Sequence, residues 1–376
     1  MKILIITEYF PSSAEVDVRG GVEARAFYIA KELAKKHKVS IITSREPGQK
    51  EEARFAGIKV YRVGKERTYT QSGSFTARLN FMFSAMKKGK ELKVDIVDGY
   101  SFLCYPAAIK IADYHGIPAV ATYHDVWVGE WINNIGITGI AGELLERYTL
   151  WKNWDHFIAV SNFTKKNLVK VGIPYNDITV VYNGVDLAGF KKLRAKKQDK
   201  ICYVGRLVDY KQVDTLIRAL KLTKKVKLEI IGTGPERPEL ERLVRELRLQ
   251  DRVEFRGFVD KHEDVIKALK SAKLFSLPSL VEGFGMVTIE GAATGTPYVN
   301  SRIPPTVEIT HNGQGGLLFK PGSYKDLAEN LNKLLSSKRL YEKKQKEAIE
   351  LAESYDWRKL AKQVEEVYKK VIAKPE

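Results

Sequence analysis

The stretch 278–299, "PSLVEGFGMVTIEGAATGTPYV", carries residue types that chemistry needs. Glu282 and Glu290 stand on either side of a glycine-rich turn, with Gly283, Phe284 and Gly285 directly after the first glutamate. Glycines at 283 and 285 let backbone N–H groups approach a ligand with no Cβ in the way. "MVTIEGAATG" then reads as a helix with Met286, Ile289, Ala292 and Ala293 on one face. Its first N–H groups point at the same spot, a ready anion site. Glu290, about one turn in, can accept two hydroxyl hydrogen bonds of the kind a ribose or hexose diol offers. Glu282 precedes the glycines, beside whatever the loop cradles. These residues describe a phosphate-plus-sugar site.

A second group lies upstream. "GRLVDYK" puts Arg206 and Lys211 just beyond the end of an apolar run, 201–205. A planar guanidinium fork and a movable ammonium there suit a diphosphate, although the same spacing fits a solvated loop. "IIGTGPER" has Gly232 and Gly234 between a strand and a helix but lacks the third glycine of a dinucleotide fingerprint. No acidic residue ends a strand about twenty residues on, so the reading is a tight turn rather than a dehydrogenase motif. His124, in "ATYHDVW", ends another apolar run, a place where a lone histidine is commonly a packed, hydrogen-bonded residue.

Alternating strands and helices must position these groups. Apolar runs at 2–7, 37–43, 58–63, 94–100, 117–124, 156–161 and 178–186 alternate with helical stretches, the first at 21–36. Residues 187–199 are polar and basic and read as a linker. A second strand series follows at 200–207, 226–232, 252–258, 273–278 and 297–300, with helices at 211–221, 237–248, 261–271 and 286–295, and the chain ends in helices at 323–338 and 356–372. Continuous Val/Ile runs mark strands covered on both faces, so the fold class is α/β, two Rossmann-like doubly wound parallel sheets. The expected domains are 1–186, 187–355 and a terminal helix 356–376 returning to the first. Ligands of open parallel sheets bind outside the carboxyl ends of the strands, which places the site in a cleft between the halves.

Composition narrows the class. A chain of 376 residues with 44% apolar residues is too long for one typical core. No apolar run approaches the ~20 residues of a membrane-spanning helix, and a strand beginning at the third residue leaves no room for a signal peptide. Cys104 and Cys202, each in an apolar stretch, read as buried cytosolic thiols. A formal charge of +17 favours a negatively charged partner, and a Lys/Glu-rich surface adapted to heat would carry similar residues.

Taken together, the motifs resemble the retaining, nucleotide-sugar-dependent glycosyltransferases of family 4, group 1, whose fold is called GT-B. "EGFGMVTIE" matches their two glutamates separated by seven residues, and "VGRLVDYK" matches their Arg/Lys motif. "RGGVEARAFYIAKELAKKHKVSIIT", beginning at Arg19, resembles the glycine-rich first loop and its helix. "AVSNFTKKNL", "VVYNGVD" and the terminal "YDWRKLAKQVEEVYKKVI" resemble further segments. The resemblance implies that Arg206 and Lys211 bind the donor diphosphate and that Gly283, Phe284 and Gly285 meet the donor sugar. It implies helix N–H groups of Met286 and Val287 on phosphate, Glu290 on the ribose, and Glu282 against the transferred sugar. Gly20 and Gly21 would close over the phosphates, and His124 would lie beside that sugar. Gln212 departs from the pattern, standing where many members have glycine. The resemblance further implies retention of anomeric configuration. With no Asp-x-Asp motif in the sequence, Arg206, Lys211 and a helix N-terminus can stabilise the leaving diphosphate, so neither metal nor cofactor is expected and the UDP- or GDP-linked hexose is a substrate.

The acceptor is read from the first half. In 75–90, Phe75, Leu79, Met82, Phe83 and Met86 recur at helical spacing with Arg78, Lys87, Lys88 and Lys90 beside them, a pattern of membrane-interface helices and of ordinary packed ones. Trp127, Trp131, Trp151 and Trp154 accompany Ile132, Ile135, Ile137 and Ile140. With the basic charge, these favour a lipid-linked, phosphorylated or cell-envelope acceptor and a cytoplasmic enzyme peripheral to an anionic membrane. The alternatives are a soluble sugar or glucan acceptor, as in glycogen, sucrose or trehalose synthases, and a sugar-nucleotide epimerase, for which six histidines in the whole chain leave few acid/base groups. Nucleic acid is not expected as a partner, because no aromatic-basic platform accompanies the paired glutamates.

Overall fold

The computed structural model describes residues 1–13, 20–68, 75–132 and 136–374, apart from the side chains of Phe75 and Thr138; Arg19 and Ile135 of the sequence reading lie outside them. The chain divides into two compact units, Met1–Asn183 with Trp357–Glu376, and Gly184–Asp356.

The first unit runs β1 (Lys2–Ile6), α1 (Gly21–Leu33), β2 (Lys38–Ser44), β3 (Glu52–Phe55), β4 (Ile58–Val63), α2 (Phe75–Lys90), β5 (Ile96–Gly99), α3 (Cys104–His115), β6 (Ala119–Tyr123), α4 (Gly139–Leu150), β7 (His156–Ala159), α5 (Asn162–Lys170) and β8 (Ile178–Val180). Its eight strands lie in the order β3-β4-β2-β1-β5-β6-β7-β8. Pairing is parallel from β4 through β8, in keeping with fully buried runs such as Ile3, Leu4, Ile5 and Ile6. The exception is the edge: β3 pairs antiparallel with β4 through a turn at Ala56 and Gly57.

The second unit runs α6 (Leu187–Lys192), β9 (Gln198–Val204), α7 (Val213–Leu222), β10 (Lys227–Ile231), α8 (Arg237–Glu246), β11 (Val253–Gly257), α9 (His262–Ser271), β12 (Ala272–Phe275), α10 (Met286–Ala293), β13 (Tyr298–Ser301), α11 (Pro304–Ile309), β14 (Gly316–Phe319), α12 (Tyr324–Ser336) and α13 (Lys338–Glu353). The six-stranded sheet, in the order β11-β10-β9-β12-β13-β14, is parallel throughout. Ile201, Tyr203, Leu228, Ile230 and Leu274 fill its centre with α7, α8 and α12, each such side chain contributing about 1.5–3 kcal/mol of burial.

The stretch expected as a linker is ordered. Asp186 accepts a hydrogen bond from the Gly189 N–H at 3.0 Å and so caps α6, while Leu187 and Phe190, three apart, turn into the protein. The helix α14 (Trp357–Ile372) belongs to the first unit. Trp357 stacks on Tyr28 at 5.8 Å, and the Tyr368 hydroxyl donates to Asp98 at 2.6 Å.

The two segments singled out for an interface behave differently. In α2, Phe81, Met82 and Ala85 are buried against β-sheet residues, with Leu79 and Met86 partly covered, so this is a packed helix. Phe83 alone of the apolar residues named above faces solvent there among the described side chains. In α4 the order is inverted: Gly139, Gly142, Glu146 and Thr149 are buried, while Ile140, Leu144 and Tyr148 are exposed. Ile137 and Trp151, at 83% and 80% exposure, extend that stripe at both ends.

Candidate active site

In an open parallel sheet the ligand crevice lies where strand order reverses. In the second unit the chain starts at β9, adds β10 and β11 on one side, then β12, β13 and β14 on the other. The reversal therefore falls between β9 and β12. Arg206 and Lys211 follow β9, and Glu282 through Glu290 follow β12, so the predicted donor residues come from the two strands that flank the switch point.

Backbone packing shapes the first of these loops. A Cβ on Gly232 would meet the Gly205 carbonyl oxygen at 1.9 Å, and one on Gly234 the Leu207 carbonyl oxygen at 2.1 Å. The "IIGTG" glycines thus let the loop after β10 lie against the loop after β9, where the Leu207 N–H donates to the Thr233 carbonyl at 2.9 Å. Tyr203, buried in β9, donates its hydroxyl to the Arg206 carbonyl at 2.8 Å. Burial, and then the charge of Glu282, raises the Tyr203 pKa, so it stays a donor. Residues Asp209–Lys211 form a 3-10 turn, and Gln212 takes φ 51°, ψ 42° before α7. This is the left-handed conformation that glycine adopts without strain, held here by Gln212 Nε2 donating to the Asp209 carbonyl at 3.1 Å. Gln212, where the family pattern has glycine, thus stands in a backbone conformation that favours glycine.

The second loop is tied to the first. The Leu280 N–H donates to the Tyr210 carbonyl at 2.8 Å, and Lys211 Nζ lies 2.6 Å from Glu282 Oε1, which also accepts from Ser279 Oγ at 2.8 Å. Arg206 bonds the Tyr210 hydroxyl. Gly285, at φ 87°, caps α10 in the left-handed region, and Met286 and Val287 supply the first-turn N–H groups that a helix leaves without internal partners. Phe284 is buried edge-on against Tyr355, at 6.1 Å between ring centroids. Asn300 of β13 fixes both ends of the loop, accepting from the Leu277 N–H at 2.8 Å and donating to Thr288 Oγ1 at 3.1 Å. Glu290 is buried and bonded to His262 Nε2 at 2.9 Å. Ser279, Asn300 and His262 were not read as site residues. Ser279, between Pro278 and Leu280, and Asn300, at the end of an apolar run, carry no distinguishing pattern, and "DKHED" reads only as a polar helix start.

Gly20, Gly21 and His124 belong to the first unit. Gly20 is the extended residue before α1, and Gly21 begins the helix. His124 follows β6; its Nε2 is buried and has no hydrogen-bond partner among the described residues. Burial, reinforced by the charge of Arg25, pushes its pKa down to about 3. Arg25 is fully buried and donates through Nη1 to the carbonyls of Val181 and Tyr182, each at 2.9 Å, and to Asn183 Oδ1 at 3.0 Å. Asp98, accepting from Thr122 Oγ1 and the Tyr368 hydroxyl, is raised by burial to about 7. Arg25 escaped the sequence reading, but a signal existed: it occupies an apolar-face position of α1 between Val22 and Ile29.

Two doubly wound units, with cations and carboxylates gathered at the switch point of the second, define the GT-B class of glycosyltransferases. Residues 186–355 match the Glycosyl transferases group 1, and residues 19–188 match Glycosyltransferase Family 4. The chain belongs to this family of group 1, family 4-type glycosyltransferases. It is 26% identical to a glycogen synthase of Mycobacterium tuberculosis, over 79% of this chain and 73% of that one. It is also 26% identical to the gpi3 subunit of phosphatidylinositol N-acetylglucosaminyltransferase of Schizosaccharomyces pombe, over 94% and 78%. Among solved structures, Anabaena HepE in complex with UDP and glucose shares the fold with a TM-score of 0.74 at 20% identity, covering 98% of this chain and 100% of that one.

Proposed function

We propose that the enzyme moves a hexose from a UDP- or GDP-linked donor to an acceptor hydroxyl with retention of anomeric configuration and without a metal. The observation that carries this is the grouping of Arg206, Lys211, Glu282, Glu290 and the start of α10 around one switch point. In this reading Arg206, Lys211 and the N–H groups of Met286 and Val287 hold the diphosphate, and Glu290 holds the ribose. Glu282 faces the transferred sugar beside Gly283, Phe284 and Gly285, and Gly20 and Gly21 serve the phosphates from the first unit. His124 offers a neutral imidazole to a sugar hydroxyl. The bond from the anomeric carbon to the phosphate oxygen breaks, and its electron pair leaves with the diphosphate. The acceptor oxygen bonds to the same face of that carbon, and its proton passes to the leaving phosphate oxygen. Fixed cations and helix N–H groups stabilise the charge that develops on the diphosphate. HepE, solved with UDP and glucose, supports a uridine donor.

For the acceptor we favour a lipid-linked one at a membrane surface. The stripe Ile137, Ile140, Leu144, Tyr148 and Trp151 is apolar and exposed, and Lys152 Nζ lies 4.5 Å from the Tyr148 ring and 5.2 Å from the Trp151 ring. Aliphatic residues at one end and aromatics with a lysine at the other follow the order from acyl chain to headgroup. No helix among the described residues is long and apolar enough to cross a membrane. A relative that acts on phosphatidylinositol accords with this reading, whereas the glycogen synthase favours a soluble glucan.

The test is turnover of UDP-, GDP- and ADP-linked hexoses with membrane extracts or soluble glucans as acceptors, in excess EDTA. Labelled product should partition into organic solvent. Activity that EDTA abolishes and Mg²⁺ restores refutes metal independence, and product confined to water refutes the lipid acceptor. The stripe is tested separately with the Leu144→Ser/Trp151→Ser variant, which should lose sedimentation with anionic vesicles. If it instead dissociates a dimer in analytical ultracentrifugation, the stripe is a subunit interface.

A further inference from the structure

A buried carboxylate that must accept from a diol has to be kept charged and held in one plane. Glu290 is 7% exposed on α10, and the hydrogen bond the structure gives its side chain is to His262 Nε2, 2.9 Å from Oε1. A carboxylate only accepts, so Nε2 carries the proton and donates. His262 opens α9, directly after the turn that follows β11, and Phe190 of α6 packs at a tilt on its ring, 6.0 Å between centroids. Three elements thus hold the pair in place: α6 the ring, α9 the donor and α10 the carboxylate.

We infer that His262 is the positioning residue for Glu290: by occupying Oε1 it fixes the carboxylate plane and leaves Oε2 to face a vicinal diol, making donor recognition selective for ribose. This rests on the donor-site reading proposed above. Two physical effects act together. Removing the N–H leaves the buried carboxylate oxygen Oε1 without its donor, an unpaired polar atom that pulls the group away from the plane the diol needs. The freed side chain also gains rotamers that must be frozen again on binding.

The experiment is calorimetric titration of wild type, His262→Ala, His262→Gln and His262→Asn with UDP and with 2′-deoxy- and 3′-deoxy-UDP, substituting the GDP or ADP series if UDP does not bind. Wild type should bind the deoxy compounds more weakly than UDP. His262→Ala should weaken UDP by about tenfold, the scale of one hydrogen bond to a charged group, while binding the deoxy compounds almost as tightly as wild type does. A variant that keeps an N–H donor, His262→Gln or His262→Asn, should recover the preference for ribose. If His262→Ala weakens ribose and deoxyribose ligands equally, or neither amide variant restores the preference, His262 supports only the fold and the inference is overturned while the donor site stands. If wild type itself shows no preference for ribose, or binds none of the three nucleoside diphosphates, the role of Glu290 fails and this inference with it.

Discussion

Lys211 Nζ lies 2.6 Å from Glu282 Oε1, with both side chains largely covered, so the cation assigned to the diphosphate is held by the carboxylate assigned to the sugar. A phosphate arriving at Lys211 competes with Glu282 for the ammonium. Charge lost from one residue is therefore felt at the other, and single substitutions at the two positions should not be independent.

Glu282→Gln should lower kcat by about a hundredfold, as expected when one preorganised electrostatic contact to the transition state is lost. It should also bind the nucleoside diphosphate product more tightly than wild type, because Lys211 no longer has a carboxylate partner. Glu290→Gln should instead raise the donor KM with kcat little changed, since a ribose contact is nearly the same in ground and transition states. Steady-state kinetics at varied donor, with calorimetry on the product, checks both. The opposite pattern in the two variants would mean that their roles are reversed.

Arg206→Ala and Lys211→Ala should each cost about 2–4 kcal/mol of transition-state stabilisation. They should differ in stability. Arg206 bonds the Tyr210 hydroxyl at an exposed position, so its loss should leave unfolding unchanged. Lys211→Ala leaves Glu282 with Ser279 alone and should cost on the order of 1–2 kcal/mol. Adding Glu282→Ala should restore most of it. Denaturant unfolding of wild type, Lys211→Ala, Glu282→Ala and the double variant completes the cycle, and additive losses would refute the coupling.

How far the molecule was legible depended on which signals were local. Both parallel sheets show in continuous apolar runs such as Ile3–Ile6 and Ile201–Tyr203, because a strand covered on both faces has no polar side to display. The β3–β4 hairpin did not show, since its turn places Ala56 at φ 52° before Gly57 rather than the Asn-Gly or Asp-Gly pair that marks such turns. The helix expected at 323–338 ends at Ser336, and Ser337 then caps α13 by accepting from the Leu340 N–H, a boundary that continuous helical periodicity conceals. At the site, Arg206, Lys211, Glu282 and Glu290 were legible from type and spacing. Asn300 and His262 were not, because each acts on a residue brought near only by the fold, and Ser279, though only three residues from Glu282, is a lone serine with no pattern around it.

Gln212→Gly should be nearly silent. The left-handed backbone costs a side-chain-bearing residue roughly 1 kcal/mol, and glycine removes that cost while giving up the hydrogen bond from Nε2 to the Asp209 carbonyl. Stability should stay within about 1 kcal/mol of wild type and nucleoside diphosphate affinity within about twofold. Gln212→Val, which adds a branched Cβ at φ 51°, should destabilise and weaken binding through the shifted Lys211. Calorimetry on both variants tests this, and a large loss of affinity in the glycine variant would mean that the glutamine side chain itself contacts the donor.

His124 gives a pH prediction whose sign follows from its depressed pKa. In the folded protein burial and the charge of Arg25 hold it near about 3, whereas an unfolded histidine titrates near its ordinary value of 6.5. Between those values the unfolded chain binds a proton that the native state refuses, so this group contributes full stability above about 6.5 and loses it as pH falls toward 3. From pH 7 to pH 5 the loss attributable to His124 should be on the order of 1–2 kcal/mol. His156, also held low, to about 4, adds a similar loss, so the comparison must be between wild type and His124→Asn rather than with theory. The asparagine variant should lose less stability over that interval, measured by urea unfolding at the two pH values. The same neutrality bears on function: within pH 5–9 the imidazole stays uncharged and offers a hydrogen bond rather than a cation to a sugar hydroxyl. The pH–rate profile of wild type should then show no limb that disappears in His124→Asn, although kcat itself falls. An acidic limb lost in the variant, or equal pH sensitivity of the two unfolding curves, would mean that His124 protonates in the working enzyme.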